Sequence, residues 1–332
     1  MGSLELGARS VIKKCMGLGK KDKVLIVTDE NQEKVGHALR NAALEIIKEP
    51  SVKLLVLEDL ATRPLAKLPE RIETEIPWAT VTLWAATSMQ GELGIRHRFI
   101  RKAIRYARHG HMPNITVKLM KQGMCTNYDD VFDLTHKTYK IVRKAQKIEI
   151  RNDRGANIVA SFDKSWKWVP CDGRYHKKGQ WGNLPEGETY TAPKIVNGHF
   201  VTNLLGDWFS EKYGNFEDPL SFNVKNSRIE YESIKCKNQT LMREIIRYLH
   251  TDKNSNRASE FALPTNPLLI SSPTVGNLLQ DEKARTHIAF GDPYHDETGA
   301  PWSSKTHVDM LLENCDVVVD GKKVMKGGKY IV

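Results

Sequence analysis

Lys23-Val24-Leu25-Ile26-Val27-Thr28 is apolar at four successive positions, the mark of a strand buried on both faces rather than one with a wet side. A helical pattern follows from Asn31 to Lys48, a second strand from Val52 to Leu57, and a third at Ala79-Thr80-Val81-Thr82-Leu83-Trp84-Ala85-Ala86. The amphipathic run Gly94 to Tyr106 reads as helix again, and a last helix from Asn127 to Gln146 closes the segment. Fully apolar strands alternating with helices predict a parallel, doubly wound α/β sheet. No G-x-G-x-x-G follows any of these strands, and Met16-Gly17-Leu18-Gly19-Lys20 lacks the spacing of a phosphate-binding loop, so no nucleotide role is expected.

From Lys147-Ile148-Glu149-Ile150 onward the character changes to short strands punctuated by Gly, Pro and Asn: Gly155 to Phe162, Glu188 to Tyr190, Arg228 to Tyr231 and Asp316 to Lys322. One helix, Gln239 to His250, interrupts them. This pattern predicts a mostly antiparallel β (α+β) domain. At 332 residues the chain is long enough for two domains, placed at 1–146 and 147–332, the first α/β with a mainly parallel sheet.

The apolar stretches fall far short of the roughly 20 residues that a membrane span needs, and Met1-Gly2-Ser3-Leu4-Glu5 lacks a signal-peptide core, so a cytoplasmic location without membrane contact is expected. Five cysteines without a C-x-x-C pair argue against a disulfide framework. The formal net charge of +10 raises nucleic acid as a partner. Its basic residues are scattered and carry no recognition motif or aromatic ladder, so no nucleic-acid binding is expected.

The chemistry concentrates near the C-terminus. In Ser303-Ser304-Lys305-Thr306-His307-Val308-Asp309-Met310 the polar and apolar residues alternate, so His307 and Asp309 project from one face of a strand and can chelate one ion. Upstream, Thr286-His287-Ile288-Ala289-Phe290-Gly291 is a second apolar strand carrying one histidine. Two histidines and a carboxylate suit non-haem iron, zinc or cobalt. Glu188, Glu260 and Glu282 lie in the same half, enough additional carboxylate to hold two divalent ions.

The order Asn183-Leu184-Pro185, Glu188, Tyr190-Thr191-Ala192-Pro193, then Glu260 before an apolar run, then Asp281-Glu282-Lys283-Ala284 with His287 and Gly291, then His307-x-Asp309, resembles the aminopeptidase T and aminopeptidase S family of dinuclear metallopeptidases. The resemblance implies metal ligation by Glu188, Glu260, His287, His307 and Asp309, with Tyr294 near the ions and Glu282 as general base or as an acid orienting a histidine. It implies two divalent ions (zinc, cobalt or manganese) that activate water against an N-terminal peptide or related amide bond, and a homo-oligomer, dimer or higher, acting on a small-molecule or peptide substrate. Only 20 positions separate His287 from His307, and the chain is shorter than the peptidases it resembles. In size it is similar to the 2,5-dihydroxypyridine dioxygenases of the same scaffold. That alternative implies one Fe(II) on His287, His307 and Asp309, with His111 as a catalytic histidine. Read on its own, His111 is a histidine at a helix C-terminus, near the helix dipole.

Overall fold

The computed structural model describes residues 2–331. In chain order the strands are β1 (Val24–Thr28), β2 (Val52–Val56), β3 (Val81–Ala85), β4 (Arg108–His111), β5 (Lys147–Arg151), β6 (Asn157–Ser161), β7 (Val169–Cys171), β8 (Trp181–Asn183) and β9 (Glu188–Thr191). They continue as β10 (Ile195–Thr202), β11 (Leu220–Lys225), β12 (Arg228–Ile229), β13 (Ala258–Pro264), β14 (Thr286–Gly291), β15 (His307–Leu312), β16 (Asp316–Val319), β17 (Lys322–Lys326) and β18 (Lys329–Tyr330). The chain gathers into two compact units. One comprises the chain up to Phe132 together with Asp172–Glu186; the other comprises Asp133–Cys171 and the chain from Gly187 onward.

The first unit carries a five-stranded sheet in the order β2-β1-β3-β4-β8, parallel at every pairing. β1 and β3 are buried at every residue, as their unbroken apolar sequences require. The helix Glu33–Leu44 packs Val35, Leu39 and Ala43 inward, and the Asp29 side chain accepts from the Gln32 N–H at its entrance. This helix stops at Leu44, short of the expected Lys48. Strands β2 and β3, consecutive in the sequence, lie on opposite sides of β1 and are joined by a crossover containing the helix Glu70–Glu75, because parallel strands of one sheet cannot be joined by a tight turn.

The second unit contains two antiparallel sheets, β12-β11-β10-β6-β5-β16-β17-β18 and β15-β14-β13-β9-β7. Phe200, Phe222, Phe261, Phe290, Ile288, Val308 and Met310 belong to one buried core shared by both sheets. The stretch from Asp316 to Lys322 holds a turn at the turn-type pair Asp320-Gly321: both residues take positive φ and reverse the chain between β16 and β17. Among the described residues no helix is long and apolar enough to cross a membrane.

Candidate metal centre

Strand alternation decides which side chains meet in the second unit. Ile288 and Phe290 of β14 enter the core, which leaves His287 and Ala289 on the opposite face. On β15, Val308, Met310 and Leu312 enter the core and leave His307 and Asp309. Phe261 and Leu263 of β13 do so as well, leaving Glu260. The register aligns Glu260 with Ala289, and Ala289 with Asp309, so only a methyl group separates the two carboxylate-bearing positions across the sheet. Glu188, the first residue of β9, adds a third carboxylate from the next strand.

These side chains converge. His287 Nε2 lies 3.3 Å from Glu260 Oε1, 3.6 Å from Glu188 Oε2 and 3.9 Å from Asp309 Oδ1. His307 Nε2 lies 3.6 Å from Glu260 Oε2 and 3.4 Å from Asp309 Oδ1. Each histidine is turned inward by its other nitrogen: His287 Nδ1 bonds the Arg285 carbonyl at 3.1 Å, and His307 Nδ1 bonds the Asp292 carbonyl at 2.8 Å. That arrangement fixes the ring plane and leaves both Nε2 atoms aimed at the carboxylates, the disposition of metal-ligating imidazoles. Glu188, Glu260 and His287 offer ligand atoms within 4.8 Å of one another. Glu188 Oε2 is buried and accepts no hydrogen bond among the described residues. An unsatisfied buried carboxylate oxygen facing an imidazole nitrogen, in a set of hard oxygen and borderline nitrogen donors, fits a divalent cation.

Electrostatics knits the cluster together. Burial opposes a charged His287, yet the hydrogen bond to Glu260 and the charges of Glu188 and Asp309 outweigh it and raise the pKa to about 10. His307 rises to about 10 against the same burial penalty, chiefly through Asp309. Burial pushes Asp309 upward, but the two histidines hold it at about 2. Glu282 is raised to about 8, mainly by burial, with Lys283 offsetting part of the repulsion from Glu188 and Asp309.

All five expected ligands, Glu188, Glu260, His287, His307 and Asp309, therefore share one site. Glu282 stands beside it, its Oε1 2.9 Å from Lys283 Nζ. Tyr294, in a left-handed conformation after β14, lays its ring 4.6 Å from the His307 ring and 6.0 Å from the Tyr190 ring, and is 42% exposed, so it lies at the open side. His111 is not at a helix end. It is the last residue of β4 in the first unit, buried, with Nδ1 3.2 Å from His109 Nε2, and burial keeps it well below the usual histidine pKa and therefore neutral. Sequence reasoning missed three participants. Lys283 contacts Glu188, and the Tyr248 hydroxyl receives the His307 N–H at 3.1 Å while bonding Asp207 Oδ2 at 2.5 Å. The positive φ of Asp207 marks a backbone held against its preference next to Gly206, whose N–H bonds the Asp309 carbonyl.

Residues 116–331 match the model of the thermophilic metalloprotease family M29. Aminopeptidase T of Thermus aquaticus is 27% identical over 176 residues, covering 45% of this chain and 40% of its own. Aminopeptidase 2 of Geobacillus stearothermophilus is 30% identical over 164 residues, covering 44% of this chain and 37% of its own. These matches thus span well under half the length of the curated relatives. Wild-type AmpT from Thermus thermophilus superposes over 99% of both chains with a TM-score of 0.73 at 18% identity. The 2,5-dihydroxypyridine dioxygenase of Pseudomonas putida KT2440 does so over 99% of this chain and 97% of its own, with a TM-score of 0.71 at 14% identity. Both likenesses establish the shared α/β fold.

Proposed function

This chain belongs to the thermophilic metalloprotease family M29, and we propose that it is a metal-dependent hydrolase that releases the N-terminal residue of a peptide or cleaves a related amide bond. The observation that supports this reading most is the pair of histidines pinned at Nδ1 with both Nε2 atoms turned onto Glu260 and Asp309. Glu188, Glu260, His287, His307 and Asp309 would hold the metal, and their number suffices for the two zinc, cobalt or manganese ions that the family resemblance implies. When bound, a divalent ion supplies a Lewis acid that polarises the scissile carbonyl and lowers the pKa of water. The protein's own groups do the rest. Glu282, with a pKa near 8, is poised to take a proton from the attacking water and return it to the leaving amine. Tyr294, at the open side over His307, is placed to donate its hydroxyl to the carbonyl oxygen as charge develops there. The dimer or higher oligomer implied by the resemblance belongs to the same proposal.

A second reading, one Fe(II) on His287, His307 and Asp309 serving a ring-opening oxygenase, is favoured by one observation: Lys283 already engages Glu188. One experiment separates the two. Chelator-stripped protein is restored with zinc, cobalt, manganese or anaerobic iron and offered peptides with free and with blocked N-termini. Metal-dependent release of amino acid from free N-termini alone is expected. Folded, metal-loaded protein that releases none, but consumes O₂ with dihydroxylated aromatics in the iron form, would replace the hydrolase with the oxygenase.

A further inference from the structure

Lys283 touches two carboxylates of the cluster, and neither reading gives it a step in the reaction. Its side chain is only 3% exposed, and its Nζ lies 2.5 Å from Glu188 Oε1 and 2.9 Å from Glu282 Oε1. The residue sits three positions before β14 and two after the end of the short helix Leu278–Asp281, and its N–H bonds the Gln280 carbonyl, so its backbone is anchored. Of the two Glu188 oxygens, Oε1 is thus engaged by an ammonium group and only Oε2, which accepts no hydrogen bond, is left to face His287.

Resting on the metal centre proposed above, we infer that Lys283 is a built-in cation of that centre: its ammonium stands on Glu188 where a second divalent ion would be ligated, so the chain takes one metal ion rather than two. Charge balance points the same way. Glu188, Glu260 and Asp309 carry three negative charges, which one divalent ion and one ammonium neutralise. Two divalent ions beside the same ammonium would leave an excess of positive charge in a buried site even with Glu282 ionised, and uncompensated buried charge is strongly unfavourable. Burial also keeps the lysine in place, since leaving Glu188 would strand both partners away from water. His287, His307, Asp309 and Glu260 would then hold the single ion, with Glu188 able to offer only its remaining oxygen.

The test is a metal count on the full chain. Chelator-stripped protein is loaded with excess Zn²⁺, and separately with Co²⁺, freed of unbound metal and analysed for metal per chain, with the Co²⁺ absorption spectrum as a second readout. About one equivalent is expected for the wild type and for Lys283→Arg, which keeps the cation, and about two for Lys283→Met, with a Co²⁺ spectrum changed by the second ion. Two equivalents in the wild type overturn the inference and leave the metal-dependent hydrolase standing. One equivalent in both the wild type and folded Lys283→Met overturns it as well, because the lysine is then not what excludes the second ion. No metal in the wild type overturns the metal centre itself. Lys283→Met leaves Glu188 and Glu282 without their cation, so its metal-free form should melt below the wild type and recover when Zn²⁺ is added. Should it not fold, Lys283→Gln provides the neutral variant, and two equivalents in the wild type remain decisive on their own.

Discussion

Replacing Glu260 with glutamine probes the side chain that touches both histidines. Glu260 is 4% exposed, and its two oxygens face different partners, Oε1 toward His287 at 3.3 Å and Oε2 toward His307 at 3.6 Å. In the metal-free protein both imidazoles are protonated at neutral pH, so the carboxylate lies between two buried cations. Glutamine keeps one acceptor and turns an NH₂ group against the other ring. Breaking a buried ion pair by removing one partner costs about 3–5 kcal/mol. Relief of the Glu188 repulsion, which helps to raise the Glu260 pKa, returns part of that and leaves about 3 kcal/mol. At roughly 2–4 °C per kcal/mol, Tm should fall by roughly 6–12 °C. Metal binding should suffer more, because a lost ligand exceeds the roughly 10–100-fold penalty of a lost orienting group. The assay is calorimetry with chelator and with added Zn²⁺. At a concentration 100 times Kd, the ion should stabilise the wild type by about 2.7 kcal/mol and the variant hardly at all. A Glu260→Gln protein that melts with the wild type and keeps the full rise on adding Zn²⁺ would refute the reasoning.

The raised histidine pKa values give a pH dependence of definite sign. The stability that His287 and His307 contribute to the metal-free protein is complete below about 6.5 and is lost as pH rises through about 10. Metal must displace those protons, so its affinity should climb with pH across the same window by about tenfold per pH unit for each proton released, as measured by calorimetric titration in buffers of different ionisation enthalpy; an affinity that stays flat from pH 6.5 to 8.5 would contradict this. Ala289→Val places extra carbon between Glu260 and Asp309 at a strand position that suits valine, so the fold should lose about 1–3 kcal/mol while metal content drops steeply; full metal content in the variant would show that Ala289 is not the floor of the site. Glu282→Gln keeps an acceptor for Lys283, so Tm should hold within a few degrees while kcat falls by about 10²–10⁴; unchanged turnover would remove Glu282 from proton transfer.

Much of this site could be read from spacing. The polar–apolar alternation around His307 and Asp309 fixed their common face, and the same logic on β14 put His287 beside them, because each strand has a core on one side only. Lys283 could not be read in this way. A lysine next to Glu282 looks like solvated surface in a sequence, and only the fold of the 278–281 turn carries it onto Glu188. Tyr248 and Asp207 reach His307 from 59 and 100 residues away, over distances where no local period operates. In the first unit, β8 escaped notice because its three residues are ordered by pairing with β4 and not by any periodicity of their own. The return of Asp172–Glu186 to that unit follows from the same pairing. The crossover helix Glu70–Glu75 is too short to announce itself, and its two acids in the first turn were the only local cue.

The most direct test of the metal centre is elemental analysis of wild-type protein purified anaerobically without chelator, beside the His287→Ala and Asp309→Ala variants. The wild type should carry about one equivalent of a divalent metal, and both variants should be folded and nearly empty, since each loses a donor that faces Glu260 or His287. Zinc, cobalt or manganese would support the hydrolase and iron the oxygenase. A wild type without metal, or variants that retain the full equivalent, would contradict the account.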